Sequence, residues 1–144
     1  MPEKKTVERA RKDKREGKSA STQAGEFVRE EMEHIRKGKQ GARSTKQAIA
    51  IGLSKARRAG VKLKPPKAGT TSERTRKQAS RDLKKGSSAK KTTKKKVSAK
   101  RSRATSNALK REGRSAASKK ALSKQAKSAA QARRRRGKAT ASRA

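Results

Sequence analysis

The sequence has no cysteine, tryptophan or tyrosine, a single phenylalanine (Phe27), a single histidine (His34) and only three acidic residues after position 38. Without thiols, disulfides and thiolate metal sites are excluded. Without aromatics there are no platforms on which exposed bases stack, which argues against RRM-like and single-strand binding modes. No apolar run approaches the roughly 20 residues of a membrane helix, and the N-terminus lacks the apolar centre of a secretory signal. A soluble, intracellular protein is expected. Large aliphatics are scarce as well. Leu, Ile, Val and Phe total 13 of 144 residues, about 9%, well under the roughly 20% below which a highly charged chain is expected to be disordered.

Catalytic chemistry is equally thin. Any Ser–His–Asp set would have to use His34, which lies in an acidic helical stretch where a solvated surface role is expected. There is no G-x-S-x-G, no G-x-x-x-x-G-K-[ST] and no G-x-G-x-x-G. Glu30, Glu31 and Glu33 point in different directions on a helix and read as charge partners for a basic helix. The expectation is a protein that is not an enzyme and uses no cofactor or metal.

What the chain does have is positive charge, +36 in total and unevenly spread. Residues 1–38 carry 11 Lys/Arg against 8 Asp/Glu, whereas residues 39–144 carry 36 against 3. A nearly balanced head and a heavily basic body imply a polyanionic partner for the body.

Helix punctuation is densest at Gly41–Gly60 (GARSTKQAIAIGLSKARRAG). Ser44 and Gln47 form an S-x-x-Q capping box, Gly60 stands at a left-handed C-cap, and Arg57 and Arg58 fall in the last turn. Ala48, Ile49, Gly52, Leu53, Ala56 and Ala59 share one narrow face. Residues 21–38 read as a second helix, capped by Ser21 or Thr22 and stopped by Gly38. Its stripe is Ala24, Phe27, Val28, Met32 and Ile35, and its charge is acidic. The two predict an antiparallel helical hairpin over 21–64, with Val61 and Leu63 folding back before Pro65–Pro66. Gly38-Lys39-Gln40-Gly41 is a G-x-x-G loop of the kind with which KH domains clamp a backbone. The strands of that fold are missing, so an ordinary helix–helix turn is expected.

Eight of the 13 large aliphatic or Phe residues lie between Phe27 and Leu63. Their burial, at roughly 1.5–3 kcal/mol each, competes with about 1–2 kcal/mol of backbone entropy per ordered residue. The hairpin is therefore marginal unless it self-associates or docks on a protein partner. Residues 1–20 read as a charged, frayed helix ended by Gly17. Residues 65–144 read as a low-complexity Lys/Arg/Ala/Ser tail, with a weak helix over 73–86 and a flexible stretch over 87–100. The expected fold is thus all-α: a small N-terminal hairpin followed by a largely disordered basic tail with transient or binding-induced helices. Within the tail, Arg101–Gly113 and Arg114–Ala126 repeat the pattern R-S-x-A-[ST]-x-x-A-L-x-[KR]-[EQ]-[GA]. They are expected to form two short basic helices once their charge is neutralised.

The stretch Arg43–Gly60 resembles the signature of a bacterial family of small basic proteins with a domain of unknown function. STQAGEFVREEMEHIRKGKQGA and the opening MPEKKTVERARKDKREGKSA extend the resemblance over about residues 1–66. It implies no activity. The tail is similar in composition to the Lys/Ala-rich tails of linker histones and bacterial histone-like proteins, although it has no S-P-K-K element.

Counterion release makes such a chain a phosphate binder whose affinity rises as salt falls. Few Asn or Gln residues fall on defined helices, so direct base readout is not expected. The expected function is histone-like, sequence-tolerant binding and compaction of duplex DNA in the cytoplasm, associated with the nucleoid. The residues expected to meet nucleic acid are Lys46, Lys55, Arg57 and Arg58 on the hairpin. In the tail they are Lys94, Lys95, Lys96, Arg101, Arg103, Lys110, Arg111, Arg114, Lys119, Lys120 and the run Arg133, Arg134, Arg135 and Arg136. Two alternatives remain: binding to structured RNA or the ribosome, and a protein-interaction or stress-protection role using the hairpin.

Overall fold

The computed structural model describes residues 2–88 and 98–141. Among them are six α-helices: α1 (Lys4–Arg15), α2 (Ala20–Arg36), α3 (Thr45–Arg58), α4 (Glu73–Ser87), α5 (Ala99–Arg111) and α6 (Lys119–Ala141). A 3-10 turn spans Ser115–Ala117, and no strand occurs among the described residues.

The α2–α3 hairpin forms where the punctuation places it. Ser44 Oγ accepts the Gln47 amide at 3.2 Å, and Gln47 Oε1 reaches back to accept the Arg43 amide at 2.9 Å. The return bond thus falls one residue before the cap itself. Gly38 and Gly60 end the two helices with φ of 73° and 95°, values that glycine adopts without a Cβ penalty. α2 starts earlier than expected. Its cap is Ser19, whose Oγ accepts the Thr22 amide at 3.3 Å, rather than Ser21 or Thr22.

The helices run antiparallel. Ile35 shares a core cluster with Ala48, Val28 lies against Gly52, and Phe27 packs with Ala56. At Gly52 a Cβ would stand 2.7 Å from Val28 Cα, so the crossing requires glycine. Val61 returns onto the Phe27–Ala56 cluster and Leu63 packs beside it, as the apolar spacing predicts.

α1 is more than a solvated helix. Thr6 and Ala10 are buried, and Val7 packs on the cluster of Ala24, Phe27, Ala56 and Val61. The segment before it is tied to α2: the Glu3 amide donates to Glu30 Oε2 at 3.2 Å, and Glu3 Oε1 lies 2.9 Å from His34 Nε2. His34 is accordingly not a solvated side chain, with 14% of it exposed.

The expectation of a largely disordered tail is overturned. Helices run from 73 to 87, 99 to 111 and 119 to 141, and the tail completes the core. Ala116 and Ala117 of the 3-10 turn are buried among Met32, Ile35, Ala42 and Ala48, and Leu122 of α6 packs on the same cluster. Their carbonyls are satisfied by the hairpin: Thr45 Oγ1 donates to Ala116 O at 2.7 Å and Arg36 Nε to Ala117 O at 2.9 Å. Eight of the twelve buried hydrophobic residues among the described ones are alanine. A count of large aliphatics misses a core of this kind, in which helices approach closely through small side chains.

The stretch expected to be flexible, 87–100, has Ser87 closing α4 and Ala99 opening α5. Residues 89–97 lie outside the described residues. The sequence repeat also does not become a structural repeat. Its first copy is α5 and the turn after it, whereas its second is the 3-10 turn and the start of α6.

Candidate nucleic-acid interface

Charge is distributed by pairing. Each of the eleven acidic residues except Glu8 has a cationic or histidine partner among the described residues. α5 and α6 contain no acidic residue at all. The acids therefore offset part of the charge of α1, the hairpin and α4, while the cations of the last two helices have no acid on their own helix.

Two acids are fully enclosed. Glu31 accepts from Lys55 Nζ at 2.5 Å and from Gln40 Nε2, joining α2, α3 and the turn between them. Asp82 of α4 accepts from Arg58 Nε at 2.8 Å, Ser54 Oγ at 2.5 Å and Gln78 Nε2 at 3.1 Å. Burial pushes the Asp82 carboxyl up, but the hydrogen bonds from Ser54 and Arg58, with the Arg58 charge, outweigh it and hold the group below its ordinary value. This network docks α4 on α3. At the same junction Gly86 lies so close to the Arg57 carbonyl that a Cβ would overlap it.

These pairs sort the expected binding residues. Lys46 is exposed near the start of α3. Lys55 and Arg58 are engaged with Glu31 and Asp82. Arg57 is buried, its Nε donating to Leu63 O at 3.2 Å and holding the returning segment. Burial lowers its pKa, partly countered by the Asp82 charge. Lys94, Lys95 and Lys96 lie outside the described residues. Arg101, Arg103, Lys110 and Arg111 are exposed on α5, Arg114 is exposed beside Gly38, Lys119 and Lys120 open α6, and Arg133, Arg134, Arg135 and Arg136 occupy its far half.

Two features bring charge together. An open groove of about 1360 Å³ separates α6 from α3 and α4, with Arg133 and Arg136 on one wall and Arg74, Lys77 and Arg81 on the other. Arg136 Nη2 reaches Thr70 O at 3.5 Å across it. The three α4 cations were not among the expected binding residues. Ser72, which caps α4 by accepting the Thr75 amide at 3.3 Å, was the available signal. The second feature is α5, which packs against no other helix among the described residues and has no buried residue. It is held at its C-terminal end, where the Gly41 amide donates to Leu109 O at 2.8 Å and the Ala42 amide to Gly113 O at 3.0 Å. Arg43 pairs with Glu112 at 3.7 Å. The tail thus lies across the G-x-x-G loop, and that loop serves as a docking site for the chain itself.

Residues 15–68 match a family of unknown function (DUF6496). A domain of unknown function is therefore found within the stretch that carries the resemblance. It comprises the end of α1, the α2–α3 hairpin and the returning segment, and it stops before α4. No curated protein and no solved structure is significantly similar to the chain. The groove's α4 and α6 walls and the whole of α5 lie outside the matched residues. No described helix is long and apolar enough to cross a membrane.

Proposed function

We propose that this protein binds and compacts duplex DNA without catalysing a reaction, in the manner of a histone-like, nucleoid-associated cytoplasmic protein. The family domain acts as scaffold and the cations of α5 and α6 as the phosphate-binding surface. One observation carries the reading: all but one of the acids pair within the protein, while α5 and α6 hold exposed cations and no acid. Lys and Arg on rigid helices release condensed counterions when they meet phosphates, and this binding is indifferent to sequence. The absence of Trp and Tyr and the single, buried Phe27 leave no exposed Phe, Tyr or Trp ring for stacking on unpaired bases.

Gel shift of random duplex DNA from low to moderate salt tests the proposal. Binding is expected at low salt and lost steeply as salt rises. No binding, or binding insensitive to salt, overturns it. Stronger competition by duplex RNA or ribosomes than by DNA transfers the reading to RNA. Removing residues 67–144 is not an adequate control, because Ala116 and Ala117 belong to the core. Substitution of exposed cations keeps the fold and is the variant of choice.

A further inference from the structure

We propose that α5 inserts into the major groove of duplex DNA, where Arg103 and Asn107 meet base edges and superimpose a base preference on backbone binding. The inference rests on the reading that this protein binds duplex DNA. Three observations carry it.

Among the described residues, α5 stands away from the other helices and is fixed only where Leu109, Glu112 and Gly113 meet the 41–43 turn. Its 13 residues make a rod of about 20 Å, long enough to lie along a groove about 12 Å wide that admits one α-helix. Second, the helix has a defined outward side. Leu109 is its one half-buried residue, which sets the side turned to the protein. At 100° per residue, Lys100, Arg103, Asn107 and Arg111 form the stripe opposite, with Lys110 on its flank, and all five are exposed.

Third, the chemistry of that stripe is that of a base reader. Asn107 is the only asparagine in the sequence, and it stands one turn after Arg103. An asparagine amide pairs bidentately with N6 and N7 of adenine, and a guanidinium with O6 and N7 of guanine. Lys100, Lys110 and Arg111 at the two ends of the stripe are placed for the phosphates flanking the groove. With no acid in α5, nothing on the helix opposes its entry.

The test uses the full chain. A randomised duplex library is selected for binding, and the enriched sequence is compared with its scramble at fixed salt. Enrichment of a short motif containing guanine and adenine is expected. Arg103→Ala and Asn107→Ala should each reduce discrimination between enriched and scrambled duplex by about five- to hundredfold. Replacing the motif's purines by 7-deazapurines, which lack N7 but keep the minor groove and the phosphates, should abolish the preference. A loss of positive charge alone does not move discrimination. Lys119→Ala/Lys120→Ala, on α6, should weaken all sequences alike. Circular dichroism confirms that each variant keeps its helix content. Binding without enrichment, or a preference that survives both α5 substitutions and 7-deazapurines, overturns this inference and leaves the proposed function standing. No binding to any duplex overturns both.

Discussion

At Gly52 the backbones of α2 and α3 come closer than any side chain permits, and the position sets the hairpin's crossing. Gly52→Ala places a Cβ 2.7 Å from Val28 Cα. The helices must separate, at about 1–3 kcal/mol, read as a lower urea midpoint with the helical signal retained. Asp82 is the polar counterpart on α4. Asp82→Ala leaves Ser54, Gln78 and a half-exposed Arg58 without their common acceptor, and should cost about 1–3 kcal/mol. Hydrogen exchange should rise in α4 before the hairpin. The acid response follows from the same groups. The hydrogen bond from His34, then that from Lys39, holds the Glu3 carboxyl at about 2 against an ordinary 4.5, and Asp82 is also depressed. Both bind protons more weakly folded than unfolded, so their contributions are lost as the pH falls; that of Glu3 is complete above about pH 4.5 and fades toward about 2. Glu3→Gln should flatten the melting temperature across that interval.

At the scale of elements, the segment 109–117 decides whether tail and domain are one structure. It covers the G-x-x-G loop and inserts two alanines at the turn end of the hairpin. At Gly41 any side chain would overlap the Glu112 carbonyl. Gly41→Val should lift this segment and leave the Phe27 cluster intact. Amides of 36–48 should then exchange faster, and a protease specific for Lys and Arg should cut first between 109 and 120. The same segment explains why two copies of one sequence pattern differ. Ser102 sits inside a helix, whereas Ser115 starts a 3-10 turn, because Thr45 and Arg36 take the carbonyls of Ala116 and Ala117 that α-helical amides would otherwise use.

At the scale of the whole molecule, charge is segregated by folding. The +36 net charge is offset only in part by internal pairs in the segments before α5, and α5 and α6 carry exposed cations with no acid among them. For duplex binding, each phosphate engaged adds about −0.9 to the slope of log affinity against log salt. Lys119→Ala/Lys120→Ala should therefore make the slope shallower by up to about 2 if both residues meet phosphates. Filter binding over a salt series measures it. Arg57→Ala belongs to a different class: it removes a buried guanidinium that holds Leu63 O, and its effect should appear in stability before affinity.

The sequence by itself determined what local chemistry determines. Ser44 with Gln47, Gly38 and Gly60 bounded the hairpin, the stripe from Ala24 to Ile35 selected its inner face, and the missing aromatics limited the ways it can touch nucleic acid. Only the tertiary structure decided which alanines are core. Ala116 and Ala117 look like any other pair in a Lys/Ala/Ser-rich tail, since a methyl group favours a helix whether buried or exposed, and nothing in their neighbours marks them for the hairpin. The same holds for the cations: Arg57 and Arg103 are equally basic on paper, but one is enclosed with backbone carbonyls and the other stands on a free helix. Burial and pairing are properties of distant segments brought together, and these turned a chain too poor in large aliphatics to suggest a folded tail into helices closed by small side chains.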